Sequence, residues 1–195
     1  MTIIGDVHGK INKYYQIICE LKNEKSIQLG DFGFKKEHLW HIENVDYNNH
    51  KILFGNHDDT NYLDDNHSLG DSYTFNYKNN KIMTVRGAYS IDKRFRTSNI
   101  DWWENEQLSY LEFQEIINQY EEYKPDIMLT HDCPNSIRKL FFNITDTTIT
   151  SQALETMLEI HQPKLWLFGH HHISVDQIVN GTRFICLKEL ETFTI

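Results

Sequence analysis

Along the chain, short runs of β-branched and aliphatic residues stop abruptly at Gly, Asp, Asn or His. They read TIIGDVHG (2–9), SIQLGDFG (26–33), KILFGNHD (51–58), DIMLTHD (126–132) and KLWLFGHHH (164–172). Continuous apolar runs of this length, bounded by turn residues, predict strands buried on both faces. Between them, apolar residues recur at helical spacing: Ile11, Tyr14, Tyr15, Ile18 and Leu21 in 10–24, Leu108, Leu111, Ile116, Ile117 and Tyr120 in 106–122, and Ala153, Leu154, Met157 and Leu158 in 151–161. Strands alternating with helices predict an α/β architecture on a largely parallel sheet. Residues 73–91 and 174–195 read instead as hairpins, with turns near Asn79-Asn80 and at Asn180-Gly181, so the sheets should be mixed. Pro125 and Pro163 fall between a helix and a strand, where proline ends a helix cleanly.

The chain of 195 residues suits one domain spanning 1–195, with no linker or internal repeat. With 39% hydrophobic and 24% charged residues its composition is that of a folded globular protein. No apolar stretch nears the roughly 18 residues that span a bilayer, and no basic segment precedes an apolar one at the N-terminus. A cytoplasmic location without membrane partners is the expectation. Cys19, Cys133 and Cys186 are far apart, which fits free thiols in a reducing compartment. The net charge of −9 weighs against a nucleic-acid partner, although bound cations can reverse the sign locally.

The chemistry lies at the ends of the strands. Ligands of doubly wound α/β proteins bind beyond the carboxyl ends of the strands, and five such ends here carry Asp6 and His8, Asp31, Asn56 and His57, His131, and His170 to His172. One of these alone would be a turn former or a surface histidine; five together predict a site. Nitrogen and oxygen donors without thiolate suit Mn, Fe, Zn, Co or Ni. Seven candidate ligands suffice for two ions sharing a carboxylate, the clamp used in phosphoryl displacement. Asp6 and His8 are two apart, a spacing that turns both to one side if the strand continues through them. Gly5, Gly9, Gly30, Gly55 and Gly169 flank the ligands, where the backbone must turn and approach an ion or phosphate without a Cβ in the way.

The segments GDVHG (5–9), GDFG (30–33), GNHD (55–58), THD (130–132) and GHHH (169–172) occur in an order that resembles the calcineurin-like metallophosphoesterases, in particular compact bacterial and phage members. The resemblance implies a four-layer α/β/β/α sandwich of two mixed sheets. It implies that Asp6, His8 and His172 hold one metal, that Asn56, His131 and His170 hold another, and that Asp31 bridges them. His57 would then be the catalytic histidine that donates a proton or hydrogen bond to the leaving group. The implied cofactors are two divalent ions, manganese first, with iron, zinc, nickel or cobalt as alternatives. The implied activity is hydrolysis of phosphate mono- or diesters, by in-line attack of a metal-bound hydroxide on a small phosphorylated substrate such as a nucleotide. A nuclease of the same family and a non-catalytic binding scaffold are the alternatives.

The protein serine/threonine phosphatase branch reads G-D-x-V-D-R-G at the second motif. Here Phe34 stands where an Asp supporting the catalytic histidine would be, and Lys35 replaces a phosphate-gripping Arg. That favours a phosphodiesterase or small-substrate phosphatase and leaves open what orients His57. The third motif ends in Asp58, where that branch usually has Glu. The stretch 86–109 gathers Arg86, Arg94 and Arg96 with Trp102 and Trp103. Arg96 is the candidate for gripping substrate phosphate; the Trp pair could stack a base, or cap the next helix and fill the core. His38, His41, His50, His67 and His161 are expected in solvent, and His171 is expected to point away from the metals.

Overall fold

Each apolar run forms a strand shorter than the run itself, because the chain turns before the polar residues that close it. In the computed structural model, which describes residues 1–22, 24–33, 48–60 and 67–195, the strands are β1 (Thr2–Ile4), β2 (Ser26–Gln28), β3 (His50–Ile52), β4 (Ser72–Tyr77), β5 (Asn80–Val85), β6 (Ile127–Thr130), β7 (Leu165–Phe168), β8 (Val175–Val179), β9 (Thr182–Cys186) and β10 (Thr192–Thr194). The helices are α1 (Ile11–Leu21), α2 (Tyr110–Tyr123), α3 (Asn135–Phe142) and α4 (Ile149–Ile160).

Two mixed sheets result. The first has the order β10-β1-β2-β3, parallel except for β10; the second has the order β4-β5-β6-β7-β9-β8, with antiparallel strands at both edges. The β8–β9 hairpin turns at Asn180-Gly181 as expected, both with positive φ. The β4–β5 hairpin turns one residue earlier than the sequence suggests, at Lys78 and Asn79, with φ of 47° and 65°. Residues 174–195 are not one hairpin: β10 leaves the second sheet and pairs with β1 of the first.

Alternation along the strands builds three apolar layers. Ile3, Ile27, Leu53, Ile82, Leu129, Leu167 and Ile185 meet between the sheets. Ile4 and Ile52 face outward onto Ile11, Tyr14 and Ile18 of α1. Met83, Met128, Trp166, Phe168 and Phe184 face outward onto α2, α3 and α4. This is the expected α/β/β/α sandwich, and it holds the carboxyl ends of the parallel strands rigidly along one rim.

Several local expectations change. Helix α3 follows the fourth motif at once and, at eight residues, is too short to announce itself by periodicity. The N-cap of α2 is Ser109, in a reciprocal capping box with Glu112, so Trp102-Trp103 does not cap it. Trp103 is buried instead, and the Lys93 ammonium sits 3.9 Å from the Trp102 ring centroid. His50 is buried in β3, its Nδ1 2.9 Å from the Oγ of Ser26, the residue opposite it in the parallel pairing of β2 and β3. His67 and His161 are half-buried, not exposed; His38 and His41 lie outside the described residues. All three cysteines are free thiols. Among the described residues no helix is long and apolar enough to cross a membrane.

Candidate metal centre

All seven ligand candidates converge on the rim where the two sheets meet. Asp6, His8, Asp31 and His172 offer ligand atoms within 4.8 Å of one another, and so do Asp31, His131 and His170. Asp31 belongs to both groups, the position of a bridging ligand. His8 Nε2 and His172 Nε2 are 2.8 Å apart, and His172 Nε2 is 3.1 Å from Asp6 Oδ2. On the other side His131 Nε2 lies 3.3 Å from Asp31 Oδ1 and 3.1 Å from Asn56 Oδ1.

These residues are not on the strands. Strand β1 ends at Ile4, and Asp6 and His8 meet because His8 adopts a left-handed backbone, not because a strand alternates through them. Asp31, His170 and His172 are left-handed as well, with φ of 53°, 64° and 55°. Such conformations cost about 1–2 kcal/mol each for residues with a Cβ and cluster where function requires them. Cross-strand bonds hold them: the amides of Val7 and His8 both donate to the Asp31 carbonyl, and the Gly169 amide to that of His131.

Gly30, Gly55 and Gly169 make room for neighbouring ligand side chains. A Cβ on Gly55 would stand 2.1 Å from Asp31 Oδ1 and 2.7 Å from His131 Nε2. Replacing Gly55 by Ala should therefore displace the bridging carboxylate and weaken Mn²⁺ binding about 10–100-fold, the usual cost of disturbing a ligand's support. Titration calorimetry would read this; an unchanged affinity would contradict the arrangement.

Two supporting residues were not visible as such in the sequence. Asp58 accepts the amides of Gly33 and Gly55, each at 2.9 Å, and so clamps the second and third motifs together. Burial, reinforced by nearby Asp31, pushes its carboxyl up to about 6. Ser90 Oγ accepts the Asn56 Nδ2 donor at 2.9 Å, leaving Asn56 Oδ1 to face His131. Ser90 follows β5 by five residues and carries no motif, so nothing in the sequence pointed to it.

The pocket calls for positive charge. Burial opposes charge on Asp31 and Asp6, yet surrounding histidines hold both carboxyls below their ordinary range. Burial pushes His131 down, but Asp31 outweighs it and raises the ring to about 10. His170, next to the same group, is pushed down to about 3 by burial and so stays a neutral donor. Asp31 Oδ2 is buried with no hydrogen-bond partner. An unpartnered buried carboxylate oxygen, ringed by imidazole nitrogens and an amide oxygen with no thiolate among them, fits divalent transition metals.

His57 sits at the edge of the cluster. Its amide donates to Asp31 Oδ1 at 2.8 Å, and its ring Nε2 is 3.8 Å from Asp31 Oδ2. Burial lowers its pKa; Asp31 opposes this and Arg96 adds to it. Arg96 reaches the site, but its nearest partners are His57 and Asp92. Phe34 and Lys35 lie outside the described residues. Arg86 is instead tied to Asp71 and to the Asn105 carbonyl, and Arg94 lies over Phe95.

His171 points away from the ligand clusters, as expected. It stacks on Phe142 with centroids 4.0 Å apart, and its Nε2 is 3.2 Å from Asp132 Oδ1. Asp132, Cys133 and His171 form a third group of potential ligands. The guanidinium of Arg138, 3.7 Å from Asp132 Oδ1, already supplies the cation there, so the group reads as a buried brace for the turn that presents His170 and His172.

The sequence pattern of the calcineurin-like phosphoesterase family matches residues 1–174. No curated protein matches the chain in sequence. Several solved structures share its fold at low identity. Phosphopantetheinyl hydrolase from Mycobacterium tuberculosis is 11% identical, aligns over 96% of this chain and 89% of its own, and has a TM-score of 0.57. A candidate 5′-nucleotidase from Staphylococcus aureus is 13% identical with a TM-score of 0.55, over 96% of this chain and 48% of its own. The present chain thus spans about half the length of that protein. A hypothetical protein from Thermus thermophilus is 14% identical with a TM-score of 0.53, over 96% and 74% of the two chains.

Proposed function

This chain belongs to the calcineurin-like phosphoesterase family, and from that premise we propose that it is a dinuclear metal-dependent phosphoesterase acting on a small phosphorylated mono- or diester. The family supports hydrolysis of phosphoester bonds; that activity, the two-metal centre and the substrate together are the proposal. The observation that carries it is the sharing of Asp31 between two ligand groups. Asp6, His8 and His172 would hold one ion and Asn56, His131 and His170 the other, with the whole of 1–195 acting as one domain. Two divalent ions, manganese first among Mn, Fe, Zn, Ni and Co, supply when bound an acidified water and neutralisation of the phosphate oxygens.

The chain's own residues do the rest. Asp31 and Asp6 fix the negative charge that selects cations. His57, half-buried at the edge of the cluster, stands where it can donate a hydrogen bond or proton to the departing oxygen. The names of the Mycobacterium and Staphylococcus proteins point to small phosphorylated substrates, which suits this chain's acidic balance better than a polynucleotide does.

Purified protein should hydrolyse bis-p-nitrophenyl phosphate, p-nitrophenyl phosphate or both with Mn²⁺, and the ratio of the two rates assigns the ester class. Inertness toward both with each of Mn, Ni, Co, Fe and Zn, alongside a folded protein, overturns the proposal in favour of a binding scaffold.

A further inference from the structure

Resting on that reading of the site, we infer that Arg96, anchored by Asp92, is a positioning residue that fixes His57 with its Nε2–H toward the reaction centre. The sequence left the orienting group unassigned, because the place of the usual Asp is held by Phe34. Among the described residues the charged group nearest the ring is a cation, the Arg96 guanidinium.

The geometry is specific. Arg96 follows a single 3₁₀ turn (Lys93–Phe95) and has extended backbone. Its Nε donates to Asp92 Oδ1 and one terminal nitrogen to Asp92 Oδ2, both at 2.7 Å, a two-pronged pairing that fixes the guanidinium plane. The other terminal nitrogen lies 2.8 Å from His57 Nδ1 and 3.0 Å from the Asp101 carbonyl oxygen. A guanidinium nitrogen has only hydrogens to offer, so a contact of 2.8 Å requires a lone pair on Nδ1. In a neutral imidazole the proton is then on Nε2, the nitrogen 3.8 Å from Asp31 Oδ2. The Asp92-bound terminal nitrogen lies farther off, 3.2 Å from Nε2; a neutral imidazole has one nitrogen lone pair to offer, and the shorter contact, at Nδ1, takes it.

The arrangement differs in consequence from a carboxylate partner. A carboxylate accepts from Nδ1–H and places the lone pair on Nε2, preparing the ring to take up a proton. An arginine donor places a proton on Nε2 from the start and discourages a second one on Nδ1. His57 is thereby set to donate a hydrogen bond to a leaving oxygen. Four of the five Arg96 donors are already engaged by Asp92, Asp101 and His57, so a primary role in gripping phosphate would require dismantling the pair with Asp92.

The test combines a tautomer measurement with kinetics. Long-range ¹H–¹⁵N NMR on the histidine-labelled full-length protein, loaded with diamagnetic Zn²⁺, should show His57 with an unprotonated Nδ1 and a protonated Nε2. Arg96→Ala should lose that pattern and lower kcat about 10–100-fold, the range typical of groups that orient a functional side chain, with little change in KM. The loss should be larger for leaving groups of high pKa. Asp92→Asn should shift both readouts in the same direction, and Arg96→Lys, which keeps a donor, should restore part of each. A His57 tautomer untouched by Arg96→Ala, with a KM raised equally for all leaving groups, overturns the inference and makes Arg96 a phosphate clamp. If the wild type hydrolyses no ester but the tautomer responds as expected, the positioning stands and the proposed activity fails.

Discussion

Asp31→Asn is expected to lower phosphoester hydrolysis at least about 10³-fold and to reduce bound metal from two ions per chain to one or none. Asp31 is the single side chain common to both ligand groups, so its charge supports both ions at once. Charge stabilisation by metal ions is worth several kcal/mol, and each ~1.4 kcal/mol is tenfold in rate. The substitution should spare the fold. Asn keeps an oxygen for the contacts with the His57 amide and His131, and it removes a buried charge whose Oδ2 has no hydrogen-bond partner. The metal-free variant should still fold but melt lower than the wild type, because nearby histidines favour the Asp31 carboxylate in the folded state, while the rise in melting temperature on adding Mn²⁺, which reflects binding to the folded state, should shrink or vanish. Elemental analysis and a thermal scan read both effects. Retention of two ions with full activity would remove Asp31 from the bridge.

His57→Ala should cost about 10²–10⁴ in kcat, the usual contribution of a positioned proton or hydrogen-bond donor, without changing the number of bound ions. The reason lies in which part of His57 supports the cluster: its backbone amide, not its ring, donates to Asp31 Oδ1. Alanine keeps that amide. The deficit should grow with the pKa of the leaving group, since a poor leaving oxygen depends most on the donor. A variant that lost metal and activity together would show the ring itself to be a ligand.

Much of the site was legible because each ligand sits at a fixed offset after an apolar run, and five such offsets in order are hard to mistake. Asp6, His8, Asp31, Asn56, His131, His170 and His172 were all named from the sequence and all come together in the structure. Ser90, Asp58 and Asp92 could not be seen in those roles. Each acts through a contact across a long sequence gap: Ser90 with Asn56, Asp58 with Gly33, Asp92 through Arg96 with His57. The glycines show the same difference. Their presence was evident, but the reason at two of them is a ligand side chain from another motif: Asp31 against Gly55, Asp6 against Gly169.

The sequence by itself determined the elements and the inventory of the site. Hydrophobic periodicity is a local property, and turn residues ending a buried strand place polar groups at its carboxyl end wherever that strand lies in the sheet. Tertiary structure alone decided how β10 returns to the first sheet, which residues take left-handed conformations, and what holds His57. A left-handed His8 or Asp31 is unfavourable in isolation and is held where the amides of Val7 and His8, in the turn after β1, donate to the Asp31 carbonyl, in the turn after β2. Such bonds exist only after parallel strands far apart in the sequence have paired side by side in a sheet.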